Sequence, residues 1–428
     1  MVNRMTPRAG LLFLALGVLS LPLRAATPAE IRSLAEADQA ACLATLRQLV
    51  EMESSSYDLE GIDQVATFVS ERLAALGGAV EQIEPGPEIY RMEDTPEKIG
   101  RMVRATFTGT GTKKILLIAH LDTVYPRGTL AKQPFTLDGD RAYGLGISDD
   151  KQGVAVILHI VGLLQRLQVR DYGVLTVLIN SDEEISSPGS RFLLTRLGAE
   201  HDLVLSYEAS RVQSDSVALA TSGIAAATLV TRGRGSHAGA APERGVNALY
   251  ELAHQLLQLK DLSEPEVGLK VNWTMAQAGI VRNMIPPEAS ARADIRVLRV
   301  EDYDRIERTL RERIQNKLLP ESTVELRFER RRPPLEATDA ARKVGAHARR
   351  IYAEIGRELT VAEVPEGGGT DAAFAALEAK GPVLERLGLL GFGAHSTNNE
   401  YVLVSSIAPR LYLSTRLIIE FAQGKATP

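Results

Sequence analysis

A single cysteine, Cys42, stands in 428 residues. That excludes an intramolecular disulfide and any metal site built on several thiolates, so a bound metal must rely on nitrogen and oxygen ligands. Tryptophan also occurs once, and aromatics make up only 5% of the chain. The 45% apolar content is therefore largely aliphatic, and at this length it is ample for two domains. Positive charge is not in excess. With 49 Lys and Arg against 54 Asp and Glu, a net charge of −5 leaves no basic footprint for nucleic acid. Long apolar runs are missing too. Leu11 to Leu23, preceded by Arg4 and Arg8, falls short of the roughly 20 residues that a membrane-spanning helix needs. It reads as the core of a signal peptide over residues 1–26, cleaved after Ala25 or Ala26. The expected mature protein is periplasmic or secreted and makes no membrane contact. A serine nucleophile finds no support, because neither Gly235, Ser236 and His237 nor Pro188, Gly189 and Ser190 forms a nucleophile elbow.

What the chain does carry is a series of histidines and carboxylates at the ends of apolar runs. Lys114 to Ala119 has the pattern of a buried strand, which places His120 at its carboxyl end, where α/β sheets hold their ligands. Imidazole suits zinc as a neutral ligand. Asp122, two residues on, is placed to accept the proton of the other ring nitrogen and so fix the tautomer. Alone, such a tripeptide is more often a solvated turn. Two further clusters change its meaning. In Gly144 to Gly153 the glycines suggest a phosphate cradle, but Asp149 and Asp150 would repel an anion, so a metal is the better guest. Val174 to Ile179 is a second buried strand, with Glu183 and Glu184 just past its end. Adjacent carboxylates cannot point the same way, so one can bind metal while its neighbour faces the attacking water.

These residues resemble the aminoacylase and carboxypeptidase family of co-catalytic zinc exopeptidases, and within it the secreted bacterial glutamate carboxypeptidases of the folate-hydrolysing type. The resemblance rests on HLDTV, YGLGISDDKQG, INSDEE, LSYEAS, GRGSHAGAAPERGVNAL, EGGGTDAAFAA and GFGAHSTNNEYV in that order, and spans nearly the whole mature chain. It implies two zinc ions per chain bridged by Asp149, with Glu184 and His395 completing one site and His120 and Glu208 the other. Glu183 is then the general base. The implied fold is α/β, a zinc-exopeptidase-like catalytic domain with a mixed sheet flanked by helices. The implied function is hydrolysis of the amide that links a C-terminal amino acid, glutamate favoured, to a peptide or N-acyl group. An N-acyl amino acid amidohydrolase or dipeptidase on the same site is the rival within the class. A non-catalytic protein that binds amino acid conjugates is the rival outside it, and a missing ligand or base would mark it. None is missing.

After about Ala220 the alternation of helices and strands gives way to one βαββαβ unit. Its strands are expected at Ile224 to Thr231, Lys270 to Ala278, Ala289 to Leu298 and Thr323 to Glu329, and its helices at Val246 to Lys260 and Val300 to Leu318. Bounded by Thr221 to Gly223 and by Pro333 and Pro334, it divides the chain into a catalytic part 27–221, a ferredoxin-like insertion 222–332 and a second catalytic part 333–428. In relatives such an insertion is a lid and dimerisation domain, which implies a homodimer. His237 matches a histidine that stabilises the tetrahedral oxyanion, often across the dimer interface. Asn283 and Arg296 match lid residues that hold the substrate carboxylate. Gly367, Gly368, Gly369 and Thr370 can present main-chain N–H groups at a helix start near Asp371, a ready carboxylate site. Arg330, Arg331 and Arg332 read as a solvated hinge, although Arg332 aligns with a substrate-binding position. One departure stands out. Glutamate-releasing relatives carry a lysine in the stretch after Glu208, where this chain has Ser214, Asp215 and Ser216, which leaves the released amino acid open.

Overall fold

The computed structural model describes residues 26–365, 367–396 and 399–426. The leader expected over the first 26 residues falls almost wholly outside them. The first helix, Pro28–Val50, opens on a capping box in which Thr27 accepts from the Glu30 N–H while the Glu30 carboxylate accepts from the Thr27 N–H. No helix among the described residues is long and apolar enough to cross a membrane.

The larger part of the chain is built on a six-stranded mixed sheet. Its order is Ala79–Ile83, Met102–Thr108, Val174–Asn180, Lys114–His120, Leu203–Ser206, Val383–Leu384. The last four strands run parallel to one another, and the first two are antiparallel additions at one edge. Burial explains the composition of the parallel strands. Ile115 and Leu117 face a core shared with the helices Pro28–Val50, Gln152–Arg166 and Ile407–Ala422, while Leu116 and Ile118 face a second core with Arg191–Glu200 and Ala372–Ala376. A strand covered on both faces needs an unbroken apolar run, which is what Lys114–His120 supplies. Helices on both sides leave the carboxyl ends of the parallel strands as the open edge. His120, the Asn180 to Glu184 turn, Glu208 and Glu385 all emerge there.

Residues 223–332 fold around a core of their own. The antiparallel strands Lys270–Ala278, Glu288–Val297, Gly223–Arg232 and Thr323–Arg332 lie side by side in that order, with the helices Ala248–Leu259 and Glu301–Arg313 packed on one face. Here burial alternates. Ala225, Ala227 and Leu229 point to the helices, whereas their neighbours are only half-buried, as a sheet covered on one side requires. The βαββαβ order agrees with the sequence pattern. One detail differs: the last strand runs on through Arg332, so the three arginines are not a solvated hinge. Along a strand consecutive side chains alternate in direction, and the run is split among separate partners. Arg330 pairs with Asp304, Arg331 with Asp94, and Arg332 is buried.

Candidate metal centre

His120, buried at its strand end, brings Nε2 to 3.0 Å from Asp149 Oδ1 and 3.5 Å from Glu208 Oε1. His395, in the loop after Leu390–Phe392, places Nε2 3.2 Å from Asp149 Oδ2 and 2.9 Å from Glu184 Oε2. The Asp149 carboxylate therefore stands between the two histidines with one oxygen toward each. Two groups of potential ligands result, His120 with Asp150 and Glu208, and Asp149 with Glu184 and His395. Asp150, which with Asp149 marks the turn as a place for a metal, stands in the first group although the resemblance implies no ligand role for it. Its Oδ1 accepts from the Gln152 amide at 2.6 Å, while Oδ2 is buried with no hydrogen-bond partner among the described residues.

Asp122 does more than orient the imidazole. His120 Nδ1 lies 3.0 Å from the main-chain carbonyl of Asp122 and 3.3 Å from its Oδ1, so the carbonyl is the nearer acceptor. The carboxylate accepts from the N–H groups of Glu183 and Glu184 at 3.1 and 3.0 Å and from the Ser56 hydroxyl at 2.7 Å. It thus fastens one strand end to the next. Glu400 does the same for the turn that carries Asp149. It accepts from the N–H groups of Gly146, Ser148 and Asp149 and from the Tyr125 hydroxyl. Gly146 has φ +64°, and a Cβ there would lie 2.4 Å from Thr123 Cγ2, so the turn needs glycine on both counts. Neither Ser56 nor Glu400 is marked by any spacing in the sequence.

The electrostatics of the cluster favour a cation. Burial, reinforced by neighbouring carboxylates, pushes Asp150 and Glu184 well up and Glu208 to about 8. His395 is pushed up to about 11 by Asp149 and Glu184, and His120 is held high against burial by Asp122, Asp149 and Glu208. Each imidazole proton therefore sits among carboxylates that a divalent ion would satisfy better, releasing the ring as a neutral ligand. Glu184 Oε1, like Asp150 Oδ2, is buried without a partner among the described residues. Nitrogen and carboxylate donors with no thiolate suit zinc, and the residues fit such an ion.

Glu183 is buried beside this cluster, and its carboxylate and main-chain carbonyl both accept from the Arg332 guanidinium. Burial raises the Glu183 carboxyl and Arg332 opposes that rise. Arg332, expected to bind substrate, is instead turned onto Glu183, with Asp371 3.6 Å away. A cleft of 570 Å³ opens beside Asp149 and Glu208, with Gly368, Gly369 and Thr370 along it. Thr370 is buried and donates its hydroxyl to Glu385 at 2.8 Å, so its side chain buttresses the wall. Gly369 allows the close passage of Arg332, whose Cδ would lie 2.4 Å from a Cβ there. Arg296 is clamped by Asp294 at 2.8 and 2.9 Å and donates to the Gly367 carbonyl at 2.9 Å, joining the insertion to the glycine loop. His237 and Asn283 are exposed and meet in a short ribbon of Ser236–His237 with Met284–Ile285, where Asn283 O accepts from the Ala238 N–H. Neither lines the cleft.

Residues 116–420 match the description Peptidase family M20/M25/M40. The chain belongs to that family. Carboxypeptidase G2 of Pseudomonas sp. (strain RS-16) is 44% identical over 388 residues, 91% of each chain. Acetylornithine deacetylase of Proteus mirabilis is 29% identical over 216 residues, 49% of this chain and 51% of its own. Among solved structures, a tripeptidase from Staphylococcus aureus superposes with a TM-score of 0.74 at 20% identity, covering 90% of this chain and 99% of that one. At that identity the likeness concerns the fold. Membership of the M20 family makes the chain a metallopeptidase and sets aside the reading as a binding protein without catalysis.

Proposed function

We propose that this M20 peptidase is a two-zinc carboxypeptidase that releases a C-terminal amino acid, glutamate first among the candidates, from a peptide or N-acyl conjugate. The observation that carries the reading is the Asp149 carboxylate, with one oxygen toward His120 and the other toward His395. With Glu208 it would complete one site and with Glu184 the other. Bound zinc supplies an acidified water and a polarised scissile carbonyl. Glu183, held by Arg332, takes the proton as the water oxygen adds to the carbonyl carbon, and returns it to the amine nitrogen as the C–N bond breaks. His237 Nδ1 accepts from the N–H groups of Gly239 and Ala240, both at 3.1 Å, which leaves Nε2–H as the donor for the oxyanion. Arg296, Asn283 and the main-chain N–H groups of Gly368 and Gly369, buttressed by Thr370, are the candidates for the substrate's α-carboxylate.

The insertion is, in this reading, both lid and dimerisation domain. Lys270–Ala278 is an edge strand with most of its residues exposed, and Ala248–Leu259 exposes Leu249, Tyr250 and Leu257, an unpaired apolar surface suited to a second copy. Export to the periplasm or medium rests on the leader-like first 26 residues. An N-acyl amino acid amidohydrolase or dipeptidase is the second reading, favoured by the half-length match to acetylornithine deacetylase. Zinc-loaded protein incubated with N-acyl amino acids, free dipeptides and N-acylated dipeptides, with products identified by mass spectrometry, separates the two, because only a carboxypeptidase releases the C-terminal residue of an N-acylated dipeptide. Release of a C-terminal residue from N-acyl substrates is the expected result, and failure to cleave any of them overturns the proposal.

A further inference from the structure

The cleft beside the metal centre has a cationic wall that the mechanism does not use. Arg211 and Arg386 both line it, together with Glu385 and the metal-facing Asp149 and Glu208. The two arginines come from two segments that meet at Glu208, Arg386 following the edge strand Val383–Leu384 of the six-stranded sheet and Arg211 lying in a strand of a separate five-stranded sheet. Val383–Leu384 runs parallel to Leu203–Ser206, pairing Leu384 with Leu205. The turn that follows is sewn to the ligand-bearing segment, since Leu387 N–H donates to the Ser206 carbonyl at 3.0 Å and Gly388 N–H to the Glu208 carbonyl at 3.1 Å. Arg386, which precedes them, adopts φ +67°, and its carbonyl accepts from Arg410 at 3.0 Å, so its main chain is held on both sides of the turn that runs past Glu208. Arg211 stands three residues beyond Glu208, where Ser210–Arg211 pairs with Leu390–Phe392. Both anchors are therefore on rigid main chain beside the reacting centre.

The stretch after Arg211 offers the cleft no other cation. Asp215 turns away to Arg410 at 2.6 Å and the Tyr352 hydroxyl at 3.1 Å, Ser216 is buried, and Gln213 and Ser214 are what reach the cleft. With Asp149 and Glu208 committed to metal, the remaining charged lining among the described residues is two arginines and the buried Glu385. The Arg386 charge lies near enough to Glu385 to oppose the effect of its burial. Both arginines make contacts of their own within the protein, which a substrate anion would share.

We propose that Arg211 and Arg386 are the specificity residues of this site, holding the side-chain carboxylate of an acidic amino acid while other groups hold its α-carboxylate. This rests on the carboxypeptidase reading. A guanidinium pair distinguishes a carboxylate from its isosteric amide, because the amide presents N–H groups where the arginines need acceptors. The inference is thus about a ratio, kcat/KM for an N-acyl-glutamate over that for the matching N-acyl-glutamine.

The test measures that ratio on the zinc-loaded full chain, for the natural sequence and for Arg211→Gln, Arg386→Gln and the double variant. The natural chain should favour the acid by about 10-fold or more, and the double variant should lose most of that preference, as expected when charge-assisted hydrogen bonds go. Because both substrates see the same population of folded enzyme, partial misfolding of a variant cancels from the ratio. Cleavage of neither substrate overturns this inference, and the carboxypeptidase reading falls with it only if other N-acyl amino acids are also left intact. Equal cleavage of both by the natural chain overturns this inference alone. A strong preference that survives in the double variant, with kcat/KM for both substrates lowered alike, also overturns it, because the arginines would then read the α-carboxylate common to both.

Discussion

The Arg332 guanidinium donates to both the side chain and the main-chain carbonyl of Glu183, a residue 149 positions away on the other side of the junction between insertion and catalytic domain. The last strand of the insertion thus ends on the residue assigned as base. Removing the guanidinium would leave a buried carboxylate without its counter-charge, a loss that typically costs about 3–5 kcal/mol. Arg332→Ala should therefore lower kcat at least about 100-fold, the scale of general-base catalysis, while the protein still binds its metals. Arg332→Lys should recover part of the loss, since the charge returns without the fork. Activity near that of the natural chain in Arg332→Ala, with metal content unchanged, would remove Arg332 from the mechanism.

What the sequence made legible and what it hid follow from the kind of signal each residue leaves. His120, Glu183 and Glu184 sit at or just past the ends of buried strands, and an apolar run with a polar end is visible without coordinates, whereas Glu208 came from the resemblance alone. Their convergence also follows, because the carboxyl ends of neighbouring parallel strands share one edge. Arg332 leaves no such mark. In a run of three arginines the strand period alone cannot say which one is buried, and the choice falls to Asp304, Asp94 and Glu183, which lie far off in the chain. Ser56 and Glu400 were hidden for the same reason: each is defined by the N–H groups and side chains it meets across the fold. Asp150 was visible only as a carboxylate beside Asp149, since adjacency says nothing of its position beside His120 and Glu208.

The two acidic residues central to the site should respond in opposite ways. Glu183→Gln should keep its metals and lose at least about two decades of kcat, because the amide accepts no proton. Asp149→Ala removes a carboxylate that faces both histidines and should shed metal, with a lowered melting temperature, since metal binding is linked to folding. Elemental analysis after dialysis, paired with thermal melts, checks both. Loss of metal from Glu183→Gln would reassign Glu183 as a ligand.

Away from the metals, Asp38 gives a pH test of the catalytic domain's stability. Burial pushes its carboxyl up, but His159 at 2.6 Å and Arg166 at 2.9 Å more than offset this and hold it below the ordinary value. A depressed folded pKa means stability that is present above the unfolded value of about 3.9 and is lost as pH falls through the folded one. Asp38→Asn should thus cost about 1–3 kcal/mol at pH 7 and progressively less below about pH 3.9. Urea titrations of metal-stripped protein across that range give the comparison free of metal linkage. A cost that does not change with pH would assign the effect to packing and not to charge.

All five expected metal ligands lie outside residues 223–332, while His237 lies inside, exposed and away from the cleft. On the proposed reading its donor would arrive either by closure of its own lid or from a second chain. In both cases His237→Ala should lower kcat roughly 100-fold or more with little change in KM, the behaviour of a lost oxyanion donor. The two routes part in mixed dimers. If His237 acts across the interface, combining Glu183→Gln chains with His237→Ala chains should restore activity, because in each hybrid one site takes its base from the His237→Ala chain and its histidine from the other. With random exchange of equal amounts, half the dimers are hybrids with one intact site of two, so recovery should approach about a quarter of the natural activity. Demonstrated subunit exchange without recovery confines His237 to the site of its own chain, and then closure of the lid within one chain must bring it there.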